Sequence, residues 1–165
     1  MTDLTFRTAR AEDAAFLNRA LAQLSADIGD SHQATTEDLR AALAGARPPF
    51  EAILALSDET PAGAVVFSPV YSTIRAAAGL FVSDLWVAEA HRSQGLGRRL
   101  LAQARDRAAA LWQARYMKLN VYADNAAARA AYDRMGFVHN SADQSLFLEG
   151  AALAALPQRG GTSGR

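Results

Sequence analysis

Asp84-Leu-Trp-Val-Ala-Glu-Ala-His-Arg-Ser-Gln-Gly-Leu-Gly-Arg-Arg-Leu-Leu101 decides how the rest of the chain is read. Leu85 to Val87 suit the end of a strand. A short loop follows, then Arg92-Ser-Gln-Gly95-Leu-Gly97, then a helix reaching about Trp112. The apolar face of that helix is Leu96, Leu100, Leu101, Ala104, Ala108 and Leu111. Glycines let backbone amides approach a ligand closely. A helix N-terminus adds unpaired N–H groups and partial positive charge. Arg92, Arg98 and Arg99 add full charges. In physical terms this is an anion site, and a pyrophosphate suits it.

Two common phosphate loops do not fit. The P-loop needs Gly-Lys-Ser/Thr, and Gly97 is followed by Arg98 and Arg99. The dinucleotide loop needs a third glycine, and position 100 is Leu100. A Gly-x-Gly by itself leaves a purely structural turn open.

The chain has 165 residues, the size of one ordinary domain. Its hydrophobic count is inflated by alanine: 38 of 83 residues, leaving 45 with large apolar side chains. Chains of about 150 residues still bury roughly 70% of their unfolded surface. The formal net charge is zero, which argues against a bulk nucleic-acid or membrane-surface partner. There is no cysteine, which excludes disulfides, thiolate metal sites and Cys nucleophiles. No apolar run approaches the roughly 20 residues of a membrane span. Met1 to Arg7 lacks a basic stretch followed by an apolar one, so no signal peptide is expected. The expectation is a soluble cytoplasmic protein.

Zero net charge hides a pattern. Residues 1–60 carry ten acidic and five basic side chains, whereas residues 91–120 carry one acidic and seven basic. A solvated helix face would explain the basic stretch, and so would the anion loop inside it.

Hydrophobic spacing predicts one alternating α/β unit. Leu4–Thr8 reads as a strand and Ala11–Ile28 as a helix stopped by Gly29. Thr35 or Thr36 caps a second helix through Leu43. Phe50–Leu56 and Ala64–Tyr71 form a hairpin, followed by a strand from Leu80 to Val87. After the long helix come a strand at Tyr116–Tyr122 and a helix at Ala126–Met135, capped by Asn125 and stopped by Gly136. Phe137-Val138 and Ser145–Glu149 read as closing strands. The Gly-rich tail, Pro157 to Arg165, is expected to be disordered, leaving a single domain over residues 1–156.

Arg92-x-x-Gly95-x-Gly97 after a strand resembles the acetyl-CoA loop of the GNAT superfamily of N-acetyltransferases. The second motif lies in register: Leu119-Asn-Val-Tyr-Ala-Asp-Asn125, then Tyr132-Asp-Arg134-Met-Gly136-Phe137. The resemblance covers roughly residues 4–149. It implies an acyl-CoA N-acyltransferase fold, a mixed twisted sheet flanked by about four helices.

The resemblance also implies roles. The strands ending at Val87 and Tyr122 would splay, and the pantetheine arm would fit between them. Backbone groups of Leu85, Trp86 and Val87 would pair with the arm, and an N–H there would polarise the thioester carbonyl. Amides of Gln94, Gly95, Leu96, Gly97, Arg98 and Arg99 would hold the pyrophosphate. Arg92 would reach either the pyrophosphate or the ribose phosphate. Asn125 would bond the pantetheine, and Arg134 would approach the adenosine phosphate. Tyr132 matches the family's general acid. A phenol with a pKa near 10 can protonate a thiolate of similar basicity.

An alkylammonium must lose a proton before it attacks, since its pKa is about 10.4. Asp84 is the first candidate for amine binding or base, with a water chain as the alternative and a purely structural aspartate as the competing reading. Phe81–Val87 resembles, distantly, the diamine (spermidine/spermine) acetyltransferase group. That group has a Glu where this chain has Ser83. Asp27, Asp30 and His32 lie where the family shapes its acceptor pocket. Tyr71, Trp86 and Tyr122 are candidate aromatic walls that could bind a cation. His32, His91 and His139 are isolated, so no metal site is expected. The reading is an N-acetyltransferase that uses acetyl-CoA as co-substrate and a small-molecule amine as acceptor. It expects no nucleic-acid or membrane partner, and a homodimer is left open. The competing reading is a CoA-binding regulatory or interaction module with weak catalysis.

Overall fold

The computed structural model describes residues 4–143 and 145–156. The elements are β1 (Leu4–Thr8), α1 (Ala14–Ile28), α2 (Thr36–Ala44), β2 (Glu51–Ser57), β3 (Thr60–Ser72), β4 (Ala77–Val87), α3 (Leu96–Trp112), β5 (Met117–Leu119), α4 (Ala126–Met135) and a short α5 (Gly150–Ala154). One sheet runs in the order β1-β2-β3-β4-β5. The first four strands pair antiparallel in sequence. β5 pairs parallel to β4, so α3 is the crossover that such a pairing requires.

Local chemistry explains the helix ends. Gly29 ends α1 with a φ of 78°, a left-handed turn that glycine adopts without strain. The Thr35 side chain accepts from the Asp38 amide and the Asp38 side chain caps back, a capping box that starts α2. These hydrogen bonds from Thr35 hold the Asp38 carboxyl below its ordinary range. Asn125 caps α4, accepting from the Ala128 amide at 3.1 Å.

Strand alternation sends side chains to two cores. Ala64, Val66 and Trp86 face α1 and α2, where Leu17, Leu21 and Leu39 are buried. Val65, Phe67, Leu80 and Val82 face α3, packing on Leu96, Leu100, Leu101 and Ala104. Fully burying a leucine such as Leu100 is worth about 1.5–3 kcal/mol. Leu111, expected on that face, is 43% exposed. Gly79 admits the Tyr116 ring, which lies 2.5 Å from where a Cβ would be. The Tyr116 carbonyl then accepts from the Leu80 amide at 3.0 Å and starts β5.

Two expectations are corrected. β5 holds three residues rather than Tyr116–Tyr122. The closing strands at Phe137-Val138 and Ser145–Glu149 are not formed among the described residues, and α5 follows instead. The Phe137 amide is taken by the Tyr132 carbonyl in the cap of α4, so it has no donor for a ladder. The short β5 also offers little edge for another strand. Val138, Leu146 and Phe147 stand 93%, 89% and 83% exposed. The tail from Pro157 lies outside the described residues. No helix among the described residues is long and apolar enough to cross a membrane.

Candidate functional site

The site begins where β4 and β5 part. They pair only at Leu80–Met117, Phe81–Lys118 and Val82–Leu119. β4 runs on to Val87 beside β3, with an irregularity that leaves Ser83 as the extra residue between Val82 and Asp84. Beyond it, β4 has no neighbour on its β5 side among the described strands. The Ala88 amide bonds the Ala62 carbonyl at 2.9 Å, which sets the phase of the ladder. Antiparallel pairs alternate, so the N–H and C=O groups of Trp86 face β3, whereas those of Leu85 and Val87 face the gap. Of the three backbones expected to meet an arm, only these two point the right way.

Gly95 leads into α3 in a left-handed conformation, φ 78°, directly after Ser93 at φ 60°. The first helical bond is from the Arg99 amide to the Gly95 carbonyl, 3.1 Å. The amides of Gly95, Leu96, Gly97 and Arg98 precede it and are the free donors of the first turn. Arg99 is placed differently: its amide is inside the helix and its guanidinium stacks on Phe6, 4.7 Å from the ring centroid. The Gln94 side chain donates to the Ala90 carbonyl at 2.9 Å and braces the loop. Arg98 is exposed on the first turn.

On the α1–α2 face, Asp84 lines a cleft of about 390 Å3 with Ser83, His32, Ser31, Ser68 and Phe50. The Ser83 hydroxyl donates to the Asp84 carboxylate at 2.7 Å. His32 Nε2 and Asn18 Oδ1 are 2.7 Å apart, and the Asn18 amide donates to the Thr36 hydroxyl at 3.2 Å. Asp84 and His32, 52 residues apart in sequence, thus share one cleft. The sequence does not mark Ser31, Ser68 or Phe50 as site residues, and it marks Ser83 only as the residue standing where the diamine group has Glu. A bulge that turns a serine onto its neighbouring carboxylate has no signature in composition or period.

Tyr132 lies on the other face. It packs on the α3-side core and meets Phe137 edge-on at 5.4 Å. Burial raises its phenol pKa above the ordinary value of 10. Arg134 is exposed near the end of α4. Trp86 is buried among the α1–α2 core, with no partner for its indole N–H among the described residues. Tyr71 stands 66% exposed, five residues along β3 from Val66, the partner of Asp84, so the fold does not bring it to the cleft.

Two long-range contacts frame the gap. Arg92 donates to the Asp27 carboxylate at 2.6 Å and to the Val87 carbonyl at 3.0 Å. The Tyr122 hydroxyl donates to the Asp30 carboxylate at 2.6 Å. That hydrogen bond, then the charge of Asp30, raises the Tyr122 pKa. No cluster of three metal-ligating side chains occurs among the described residues.

Comparison with solved structures finds the same architecture. An aminoglycoside acetyltransferase from an uncultured soil metagenomic sample aligns with a TM-score of 0.73 at 18% identity, over 89% of this chain and 99% of that one. A ribosomal-protein-alanine N-acetyltransferase from Brucella melitensis aligns at 0.71 and 17% identity, over 90% and 100%. An aminoglycoside N-acetyltransferase in complex with CoA aligns at 0.70 and 15%, over 92% and 97%. No curated protein matches the sequence. A family model described as Acetyltransferase (GNAT) family matches residues 17–137, which include the β4–α3 loop, Asp84 and Tyr132. With that match spanning most of the chain and the fold in agreement, the chain belongs to the GNAT family of acetyltransferases.

Proposed function

We propose that this chain, as one catalytic domain over residues 1–156, transfers an acetyl group from acetyl-CoA to a small cationic amine within a ternary complex. The observation that carries the reading is the gap itself. Leu85 and Val87 turn backbone groups that no strand pairs among the described residues into it, the Val87 carbonyl being held only by Arg92, and four amides free of helical bonds, from Gly95 to Arg98, stand at its α3 side. A pantetheine arm needs a strand edge to pair with, and a pyrophosphate needs convergent N–H donors. Both are present and adjacent. Arg98 and Arg92 would add charge, with Asn125 and Arg134 toward the rest of the CoA.

The two candidate catalytic groups approach from opposite faces of the sheet. Asp84 faces the cleft on the α1–α2 side, and Tyr132 packs on the α3 side. That division suits direct transfer. The amine enters beside Asp84, where the carboxylate or a water relays its proton away. Its lone pair attacks the thioester carbon, whose oxygen is polarised by a β4 amide. The C–S bond then breaks, and the Tyr132 phenol protonates the leaving thiolate. A phenol is protonated at neutral pH already, and burial of Tyr132 raises its pKa further. Ser83, where the diamine group has Glu, leaves one carboxylate rather than two at this point, which supports an acceptor other than a polyamine. The aminoglycoside acetyltransferases of the same fold favour a cationic small molecule by analogy only.

The test is CoA-thiol release from acetyl-CoA with a panel of amines: aminoglycosides, polyamines, amino acids and a peptide α-amine. Acceptor-dependent release supports the reading. CoA binding by calorimetry with no release for any amine favours the binding-module reading instead.

A further inference from the structure

We infer that Asp27 restrains CoA binding: it holds the Arg92 guanidinium across the β4 edge of the gap and yields it to an incoming phosphate. The inference rests on the CoA reading of that gap.

Arg92 makes two contacts, and together they place it. Its Nε bonds the Val87 carbonyl at 3.0 Å, one of the β4 groups turned toward the gap. Its terminal nitrogen bonds Asp27 at 2.6 Å, across 65 residues of sequence. The arginine therefore lies over backbone that a pantetheine arm has to use. Asp27 sits in the last turn of α1, two residues before the left-handed Gly29. Asp30, just beyond, is bonded by Tyr122, which follows β5. The Asp27–Asp30 segment is thus tied to both walls of the gap, by Arg92 on the β4 side and Tyr122 on the β5 side. Ser31 and His32, next in the chain, line the acceptor cleft.

The pair is built to exchange. The Arg92 and Asp27 side chains are 47% and 27% exposed, so water can replace either partner as they separate. Arg92 is three residues from Gly95 and the free amides. A phosphate offers guanidinium two parallel acceptors and more charge than one carboxylate. Moving Arg92 to the phosphate uncovers the Val87 carbonyl for the arm. It also leaves the Asp27 carboxylate at the end of α1 without its cation. Asp27 therefore opposes CoA in the unliganded chain.

Calorimetric titration of CoA into the full chain, at one fixed salt concentration, tests this. Asp27→Asn keeps the shape and removes the charge, and it should tighten CoA by about two- to fivefold, the range expected for freeing an exposed ion pair. Asp27→Glu should restore the wild-type affinity. In an Arg92→Ala background, Asp27→Asn should have no effect. Unchanged or weaker binding by Asp27→Asn, in a variant that melts like wild type, overturns the exchange. So does equal tightening in the Arg92→Ala background, which would reduce Asp27 to a distant charge. Absence of CoA binding by the wild type overturns the CoA reading itself, and the inference with it.

Discussion

Gly63→Ala probes the contact between the sheet and α3, the helix whose first-turn amides are proposed to hold a phosphate. Gly63 lies opposite Val87 in the β3–β4 ladder. An added Cβ would meet Leu100 Cδ1 at 2.8 Å, the Trp86 carbonyl oxygen at 3.0 Å and Leu96 Cδ2 at 3.5 Å. Carbon atoms pack best at about 3.5–4.0 Å, so the first contact is short by roughly an ångström. Leu100 is fully buried and Leu96 is 2% exposed, so neither can swing outward. The Trp86 oxygen is backbone. Overpacking of this kind costs about 1–3 kcal/mol. Removing a strand glycine returns roughly 0.5–1 kcal/mol. The net loss is centred on about 1 kcal/mol and reaches about 2.5 kcal/mol, a fall in Tm of roughly 2–4 °C per kcal/mol for a chain of this size by calorimetry. Relief through Leu96 and Leu100 shifts the first turn of α3, so CoA affinity should fall in the same variant. Gly97→Ala is the control. There the new Cβ would sit 3.8 Å from Leu85 Cδ2 and Val87 Cγ2, an ordinary contact. Alanine in a helix gains up to about 1 kcal/mol over glycine, so Tm should hold or rise. Gly63→Ala melting at the wild-type temperature, or Gly97→Ala falling as far, would refute the reasoning.

Tyr132→Phe keeps the ring against Phe137 and removes only the hydroxyl. Thiol release should drop about 10²–10⁴-fold while CoA affinity stays within about twofold, and an unchanged rate removes Tyr132 from the chemistry. Burial raises the folded pKa of Tyr132 above its unfolded value near 10, so its contribution to stability is whole below that pH and is lost as pH rises through the folded value. Tm followed from about pH 9 upward should therefore decline more steeply in wild type than in Tyr132→Phe. Both are best compared in a Tyr122→Phe background, because Asp30 raises Tyr122 as well. Gly97→Trp sets a ring against Leu85 and Val87 at the first turn of α3, so calorimetry should detect no CoA binding while the chain still melts cooperatively. Normal affinity would remove the loop from the site.

Local features were legible in the sequence because they are local physics. Thr35, Asn125, Gly29 and Gly136 end or begin helices through groups within a few residues of each other. The Arg92-x-x-Gly95-x-Gly97 run specifies a left-handed step into a helix, hence free amides, whatever surrounds it. Element order through α4 followed from hydrophobic period. The same local reasoning failed at Phe137 and Ser145–Glu149, where β-prone residues have no edge to join and a helix cap takes the Phe137 amide.

Composition and spacing alone thus determined an alternating α/β unit with a glycine-led step into its long helix, and resemblance supplied the mixed sheet, the phosphate reading of that step and the candidate tyrosine. Tertiary structure decided what those pieces face. The ladder phase set by Ala62 and Ala88 selects Leu85 and Val87, and not Trp86, to address the gap. The bulge at Ser83 turns its hydroxyl onto Asp84, and strand alternation sends that carboxylate to the α1–α2 cleft while Tyr132 stays on the α3 side. Arg92 with Asp27, and Tyr122 with Asp30, are joined across 65 and 92 residues. The acidic first segment and the basic middle one therefore meet at the gap through the Arg92–Asp27 ion pair. Such contacts depend on how strands register and splay, a property of the packed sheet that no window of sequence contains.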